Sequence, residues 1–366
     1  MNLALRNLLK ERLRFALSVA GVALAITLIL ILKAFLTGMN RQITSYLGHA
    51  PGSLIVAQQG VGNLLGATSI LPAGSEASAE AEAGVAEAIP ILSQFVILDL
   101  HGKKQPAYLV GYDPEQGGGP WQIAEGRAPN GEEEVVFDRV LAGRHDIVLG
   151  DSLEILGEKF TVVGLSEGTT SWMTSFLFLR LSAAERLLRA PGARSFLLVS
   201  VDESIALEQV RGRLSDLPGM DAFLLEEMKA NDLRLFARIF SAPLRLMVGI
   251  AFLIGVMVVG MVIYTATVER QREYGVLKAV GARNRVLYQV VGGQALLASA
   301  SGAVLGVVLA YAMSKLIMAL RPQFLLALEP SDALRAVGLS LVMALAAAFI
   351  PARLIGRLEP AAVFRR

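Results

Sequence analysis

The sequence predicts a membrane protein of mixed α+β class: four transmembrane helices, with a large extracytoplasmic α+β domain inserted between the first and second and carried on helical stalks. Three observations predict it. Of the 366 residues, 54% are hydrophobic and 18% charged, whereas an ordinary soluble domain is about a quarter charged. Four mostly apolar stretches contain no Asp, Glu, Lys or Arg: Phe15–Leu32, Leu246–Val268, Leu287–Ser314 and Ala336–Ala352. Most of what remains, Lys33–Arg245, forms one block between the first two stretches.

Each uncharged stretch is long enough to span. A helix of about 20 apolar residues crosses a hydrocarbon layer roughly 30 Å thick. The two shortest reach that length because the stems of Lys33 and Arg335 can extend toward the headgroups. Phe15–Leu32 is longer than the apolar core of a secretion signal, and the following Lys33-Ala34-Phe35-Leu36 lacks a small-x-small cleavage site, so it is an uncleaved first span.

Charge sets the sides, because short loops rich in Lys and Arg stay in the cytoplasm. The segment before span one, the loop between spans two and three and the tail after span four together hold 13 basic and 4 acidic residues. The whole chain carries +2, so everything else carries −7. This predicts a multi-pass protein of the inner or plasma membrane with both termini cytoplasmic and the large block outside. There is no cysteine, so the outer domain rests on its own core, which about 190 residues can supply.

Along the outer block, span one continues as a stalk through Phe35, Leu36, Met39, Ile43 and Leu47, which keep one apolar stripe. Pro51-Gly52 ends it. Strands are predicted at Leu54–Val56, Phe95–Leu98, Ala107–Val110, Val135–Phe137, Ser152–Leu156, Lys159–Val163, Ser175–Leu179 and Phe196–Val201. Gly157-Glu158 suits a two-residue hairpin with glycine first. Helices are expected at Ser182–Arg189 and Ser204–Leu214, and Ala67–Ala88 is expected to be a mobile loop and a short helix. A helix bearing Leu225, Met228, Leu235 and Ile239 on one side leads back to span two through Pro243. Inside the membrane, Gly249, Gly255 and Gly260 of span two, and Ala298, Gly302, Gly306 and Ala310 of span three, let helix backbones approach. Span three is expected to pack within one protomer, and spans one and two against a second copy.

The loop between spans two and three is richer than topology requires. It reads Glu269-Arg-Gln-Arg272-Glu273-Tyr-Gly275-Val-Leu-Lys278-Ala-Val-Gly281-Ala282. Span two is predicted to run on to Tyr274, break at Gly275, and resume as a short helix with Val276, Leu277 and Val280 toward the membrane. Gly281 suits the left-handed conformation that closes such a helix. A short helix at the bilayer surface is a handle for a soluble partner; the plain alternative is a solvated loop obeying the positive-inside rule.

This phrase resembles the segment of MacB/FtsX-type ABC transporter permeases that docks on the nucleotide-binding subunit. Other stretches agree in order: Asn7–Arg14 with an amphipathic leading helix, Pro351–Pro360 and Phe364-Arg365 with the exit from the last span, and Gly111-Tyr-Asp-Pro, Glu125-Gly-Arg-Ala-Pro, Val135-Val-Phe-Asp, Gly150-Asp and Phe160–Gly164 with the outer core domain. The resemblance covers nearly the whole chain. It implies a type VII fold divided as follows: 1–14 leading helix, 15–48 span one and stalk, 49–224 outer core domain, 225–268 stalk and span two, 269–286 coupling segment, 287–318 span three, 319–332 outer loop, 333–352 span four and 353–366 cytoplasmic tail.

It further implies a homodimer with two copies of a separate ABC ATPase, whose closure is relayed mechanically to the outer domains. Glu269, Arg270, Arg272, Glu273 and Lys278 would dock the ATPase, with Gly275 and Gly281 shaping the helix. ATP and Mg would sit on that partner, since Gly60-Val-Gly62-Asn-Leu-Leu-Gly66 lacks the lysine of a phosphate-binding loop. The cargo would be a hydrophobic or amphiphilic molecule such as haem, a lipid, a lipophilic drug or a peptide, with a periplasmic adaptor as a further partner and no nucleic acid. The compact outer block favours the DevC-like or haem-exporter-like branch. Met39, Tyr46 and His49, at the outer end of span one, are candidate cargo contacts, and Tyr, Met and His are all haem-iron ligands; stalk packing is the plainer role. The rival expectation is an FtsX-like signal transducer that regulates an envelope partner without transport.

Enzymatic patterns fail on chemistry. Gly164-Leu-Ser166-Glu-Gly168 matches a hydrolase elbow, but the three histidines, His49, His101 and His145, all precede it, whereas that triad needs one afterwards. No metalloprotease spacing occurs, and the uncharged spans offer no proton relay. The chain is expected to be no enzyme itself, and no metal or cofactor is expected on it.

Overall fold

The computed structural model describes residues 12–171 and 174–356. The leading helix Asn7–Arg14 lies largely outside them, as do Trp172, Met173 and the tail beyond Gly356. Two compact units divide the described residues. The membrane unit comprises residues up to Thr37, Ser241–Leu320 and Leu326 onward; the outer unit comprises Gly38–Phe240 and Arg321–Leu325.

In chain order the elements are α1 (Arg12–Ile43), α2 (Ser45–His49), β1 (Leu54–Gln58), α3 (Ser75–Glu80), β2 (Val85–Leu100), β3 (Lys103–Tyr112), β4 (Ile123–Gly126), β5 (Glu134–Asp138), α4 (Arg139–Arg144), β6 (Ser152–Ile155), β7 (Glu158–Ser166), β8 (Ser175–Arg180), α5 (Leu181–Leu187), β9 (Phe196–Val201), α6 (Leu207–Asp216), β10 (Met220–Leu224), α7 (Leu225–Glu269), α8 (Gln271–Ala279), α9 (Asn284–Leu320) and α10 (Pro330–Gly356). Among them α1, α7, α9 and α10 are long and apolar enough to cross a membrane.

In the membrane unit, small residues set the packing. Gly302 and Gly306 of α9 lie against Val22 and Ile26 of α1, where a Cβ would collide. The Thr27 hydroxyl is shared between its own helix at Ala23 O (2.7 Å) and Gly306 O across the contact (3.1 Å). Span three therefore packs within the protomer, as its glycine spacing predicts. In α7, Gly255 faces Met343 and Ala25, and Gly260 faces Ala347. These two glycines serve contacts inside the chain, so any face α7 offers to a second copy is a different one.

The outer unit is built on one ten-stranded sheet in the order β10-β1-β9-β2-β3-β8-β5-β7-β4, with β6 paired to β7. The 16-residue β2 joins its halves, pairing through Val85–Ile91 with β9 and through Leu92–Leu100 with β3. Ala67–Ala88 thus holds only a short helix before β2 begins at Val85, ten residues earlier than the sequence predicts. The β6–β7 turn falls on Leu156 and Gly157, with φ of +50° and +90°. Glycine is second rather than first, the usual place for it in a two-residue turn whose central residues are both left-handed.

Two motifs of the outer domain gain a physical reason. Gly126 has φ +79° beside the Val163 carbonyl, and Arg127 N–H then donates to that oxygen at 2.9 Å. Arg127 forks onto Glu134, which also accepts from the Asn130 and Gly131 N–H groups at 2.7 and 3.0 Å. Asp138 is fully buried and accepts from Leu141 N–H (2.8 Å), Thr169 and Thr170 hydroxyls (2.7 Å each) and Ser175 (3.3 Å). It caps α4 and fixes the strand that follows Gly168.

Asp138→Ala would leave several buried donors without an acceptor and should cost on the order of 3 kcal/mol in chemical denaturation of the purified protein; a loss within error of zero would deny Asp138 that role. The Arg127 guanidinium holds Glu134 down to about 2, well below its ordinary 4.5. Its contribution is therefore full above 4.5 and lost as pH falls toward 2. Acid titration of Glu134→Gln should show a flatter stability profile over that window; an unchanged profile would contradict the pairing.

Candidate functional site

At the end of α7 the chain turns once, at Arg270, and begins α8, which runs unbroken through Gly275. The predicted break at Gly275 is thus displaced to Arg270. Arg270 N–H still reaches Ala266 O and Tyr274 N–H reaches Arg270 O, so the corner lacks little of the helical ladder. The far end closes as the sequence predicts. Gly281 has φ +98°; its N–H donates to Lys278 O, and Ala282 N–H donates to Leu277 O at 2.9 Å. This double closure needs a left-handed residue at that position, and glycine adopts it without steric cost.

Tyr274 anchors α8. It is 4% exposed and packs with Leu287 and Val291 of α9 in the core of the membrane unit. Gly275 is buried beside it. The opposite surface carries Arg272, Glu273, Val276, Leu277 and Val280, all exposed, Val280 by 85%. Sequence reasoning turns Val276, Leu277 and Val280 toward the membrane; in the structure Tyr274 and Gly275 face the protein core, and the three apolar residues are exposed beside the charged pair. Glu273 lies in the first turn and Lys278 in the last, each complementing the helix dipole.

Lys278, named above for docking, also has a structural contact. Its Nζ donates to Gly356 O at 3.0 Å, and so ties α8 to the last described residue of α10. Glu269 is exposed and Arg270 half-buried at the corner. The seven residues named for docking therefore fall into an exposed group, Glu269, Arg272 and Glu273, and a structural group, Gly275, Lys278 and Gly281, with Arg270 at the turn between.

In the outer unit Met39 and Tyr46 are each 2% exposed. Tyr46 donates to Gly118 O at 2.6 Å and stacks on Phe176, and burial raises its hydroxyl far above the ordinary range, so it stays neutral. His49 is exposed; its Nδ1 lies 2.7 Å from Ser45 O and its ring stacks on Trp121, centroids 4.7 Å apart. Ser166 is fully buried, with its Oγ against Phe137 O and Thr169 Oγ1, a packed hydroxyl rather than an accessible nucleophile.

Lys278→Met should raise amide hydrogen exchange at the C-terminal turn of α10 severalfold, and Lys278→Arg should restore part of the protection. Equal exchange in all three proteins would show that this bond contributes nothing.

Comparison with known proteins agrees with this architecture. Residues 15–217 match a family described as MacB-like periplasmic core domain, and residues 245–360 match one described as FtsX-like permease C-terminal. An uncharacterised ABC transporter permease of Mycobacterium tuberculosis is 26% identical over 316 residues, covering 86% of each chain. A second from that species is 24% identical over 310 residues, covering 84% of this chain and 83% of its own. Among solved structures, the periplasmic region of MacB from Actinobacillus actinomycetemcomitans aligns with a TM-score of 0.39 at 14% identity, over 50% of this chain and 94% of that one. The extracellular domain of the transporter YknZ aligns with a TM-score of 0.36 at 11% identity, over 47% and 98%.

Proposed function

This chain belongs to the MacB/FtsX family of ABC transporter permeases, and from that premise we propose that it is the membrane subunit of an ATP-driven machine that exports or extracts a hydrophobic or amphiphilic molecule. The subunit binds no nucleotide itself. Two copies pair, and two separate ATPases holding ATP and Mg dock on the α8 segments. The observation that carries this reading is α8: a short helix anchored by Tyr274, closed by Gly281 and presenting Arg272, Glu273, Val276 and Val280 outward, at the end of a helix of 45 residues. Mixed charge beside exposed apolar surface suits a protein partner better than water.

In this reading α8, both termini and the ATPases lie in the cytoplasm, a topology that the basic segments support. Motion of α8 is passed along α7 toward the outer unit, and through Lys278 to α10. The apolar spans suit cargo that moves sideways from the lipid, such as a lipid, a lipophilic drug or peptide, or haem. His49, on its Trp121 platform, is the candidate cargo contact best exposed, while Met39 and Tyr46 would act only where the stalk opens. A periplasmic adaptor would complete the path in an envelope with two membranes.

The homodimer rests on α7. Met247, Ile250, Ile254, Met257, Met261, Tyr264 and Val268 recur at alternating steps of three and four, and each is more than a third exposed. That repeat is the seam of a left-handed helix pair. It borders Gly260: Ile254, Met257, Met261 and Tyr264 line an apolar pocket together with Gly260 and Ala347.

Three outcomes are expected. Arg272→Glu with Glu273→Arg should abolish co-purification of the ATPase while the permease still folds; retained association would remove the docking assignment. Because the chain has no cysteine, Met257→Cys should give an oxidative dimer in membranes, and Leu345→Cys, 69% exposed on α10, should not; the reverse pattern would place the seam elsewhere. Cells lacking the protein should accumulate a lipophilic compound or haem, whereas an envelope or division defect with normal efflux would mean FtsX-like signalling instead.

A further inference from the structure

One end of the membrane unit holds a cavity that the proposed docking site and dimer seam leave unused. It measures about 230 Å³ and is lined by Leu30 of α1, Val307 and Tyr311 of α9, and Leu328, Glu329 and Asp332 at the head of α10. Its inner wall is apolar and its mouth is charged. Asp332, 1% exposed, accepts from Glu329 N–H at 3.1 Å and pairs with Lys33 Nζ. Arg335 Nη1 lies 3.4 Å from the same carboxylate. Lys315 Nζ stands 4.8 Å from the centre of the Tyr311 ring.

The charge at this end is opposite to expectation. The positive-inside tendency gathers Lys and Arg at the cytoplasmic ends of spans, and this is the outer end. Yet Lys33 and Arg335 on Asp332, and Lys315 over Tyr311, border a cavity whose own charged lining is Glu329 and Asp332, a net of +1 over the five residues. Snorkelling of single lysines accounts for each cation separately, but not for their meeting at a cavity with two carboxylates. Lys33 is engaged with Asp332, while Lys315 is exposed and the Arg335 side chain is 65% exposed.

We propose that this cavity holds one phospholipid of the outer leaflet whose headgroup carries a primary amine. Lys315 and Arg335 take its phosphate, the chemistry for which cationic side chains form charge-assisted hydrogen bonds. Glu329 takes its ammonium group. The upper part of one acyl chain lies along Leu30 and Val307. The cavity is smaller than the 300–1,000 Å³ of a typical ligand pocket, so it seats the headgroup and the start of a chain and leaves the tail in the bilayer. The lipid is a resident one that joins α1, α9 and α10 at the outer rim. It is independent of whichever molecule the machine moves.

Native mass spectrometry of the purified full chain, released from detergent after equilibration with equal amounts of phosphatidylethanolamine, phosphatidylcholine and phosphatidylglycerol, tests this. The wild type should retain one phosphatidylethanolamine per chain, at least severalfold in preference to phosphatidylcholine, whose quaternary amine has no N–H to donate. Glu329→Gln should erase that preference. The double variant Lys315→Gln, Arg335→Gln, made at exposed positions, should lower retention of all three lipids about tenfold, and Ala333→Phe should block the cavity. Equal retention of phosphatidylethanolamine and phosphatidylcholine by the wild type, a preference for phosphatidylglycerol, or undiminished binding in the double variant would each overturn the proposal.

Discussion

No backbone polar group can go unpaired in hydrocarbon, and α7 is the element on which that constraint acts most heavily. At about 1.5 Å per residue its 45 residues extend some 67 Å, more than twice the thickness of the apolar layer. The uncharged stretch Leu246–Val268 must stay helical throughout, so whatever bends the chain has to lie beyond it. Pro243 does. Its missing N–H frees the Ile239 carbonyl just before the uncharged stretch, where water or headgroups can satisfy it. The corner at Arg270 falls just past the other end.

The ends of α7 are tied by different chemistry. At its start Leu225 and Met228 join the core of the outer unit, and the Asp232 carboxylate accepts from the Leu64 and Leu65 N–H groups at 3.0 and 3.2 Å. At its finish α8 is pinned by Tyr274 and by the Lys278 bond to Gly356. A helix fixed at both ends, with its irregularities confined to the flanks, is suited to carry displacement from a partner at α8 toward the outer sheet. In the proposed cycle the partner's nucleotide chemistry supplies the displacement, and the permease supplies its path.

The spans were legible because desolvating a charge is so costly that an uncharged run of 17 or more residues has few alternatives. The span-three stripe and the Gly281 closure were legible for a related reason: close backbone approach and positive φ leave glycine nearly without rivals. What stayed hidden depends on partners far apart in sequence. The first half of β2 reads as Ala- and Glu-rich loop, and becomes strand only because β9 pairs with it. Gly275 suggests a break, yet the helix runs through it and buries it beside Tyr274. Lys278 reads as one more cytoplasmic cation until Gly356, 78 residues later, meets it. Asp138 offered a local signal, since an aspartate before a helix is a common cap, but its threonine and serine donors did not.

The central claim is that α8 faces the cytoplasm, where an ATPase can grip it. The chain has no cysteine, so a single one at the exposed position Ala279 reports its side directly. A membrane-impermeant maleimide should leave Ala279→Cys unlabelled in intact cells and label it after permeabilisation, while Ser204→Cys on the outer unit labels in both. Labelling of Ala279→Cys in intact cells would put α8 outside and contradict the account at its root.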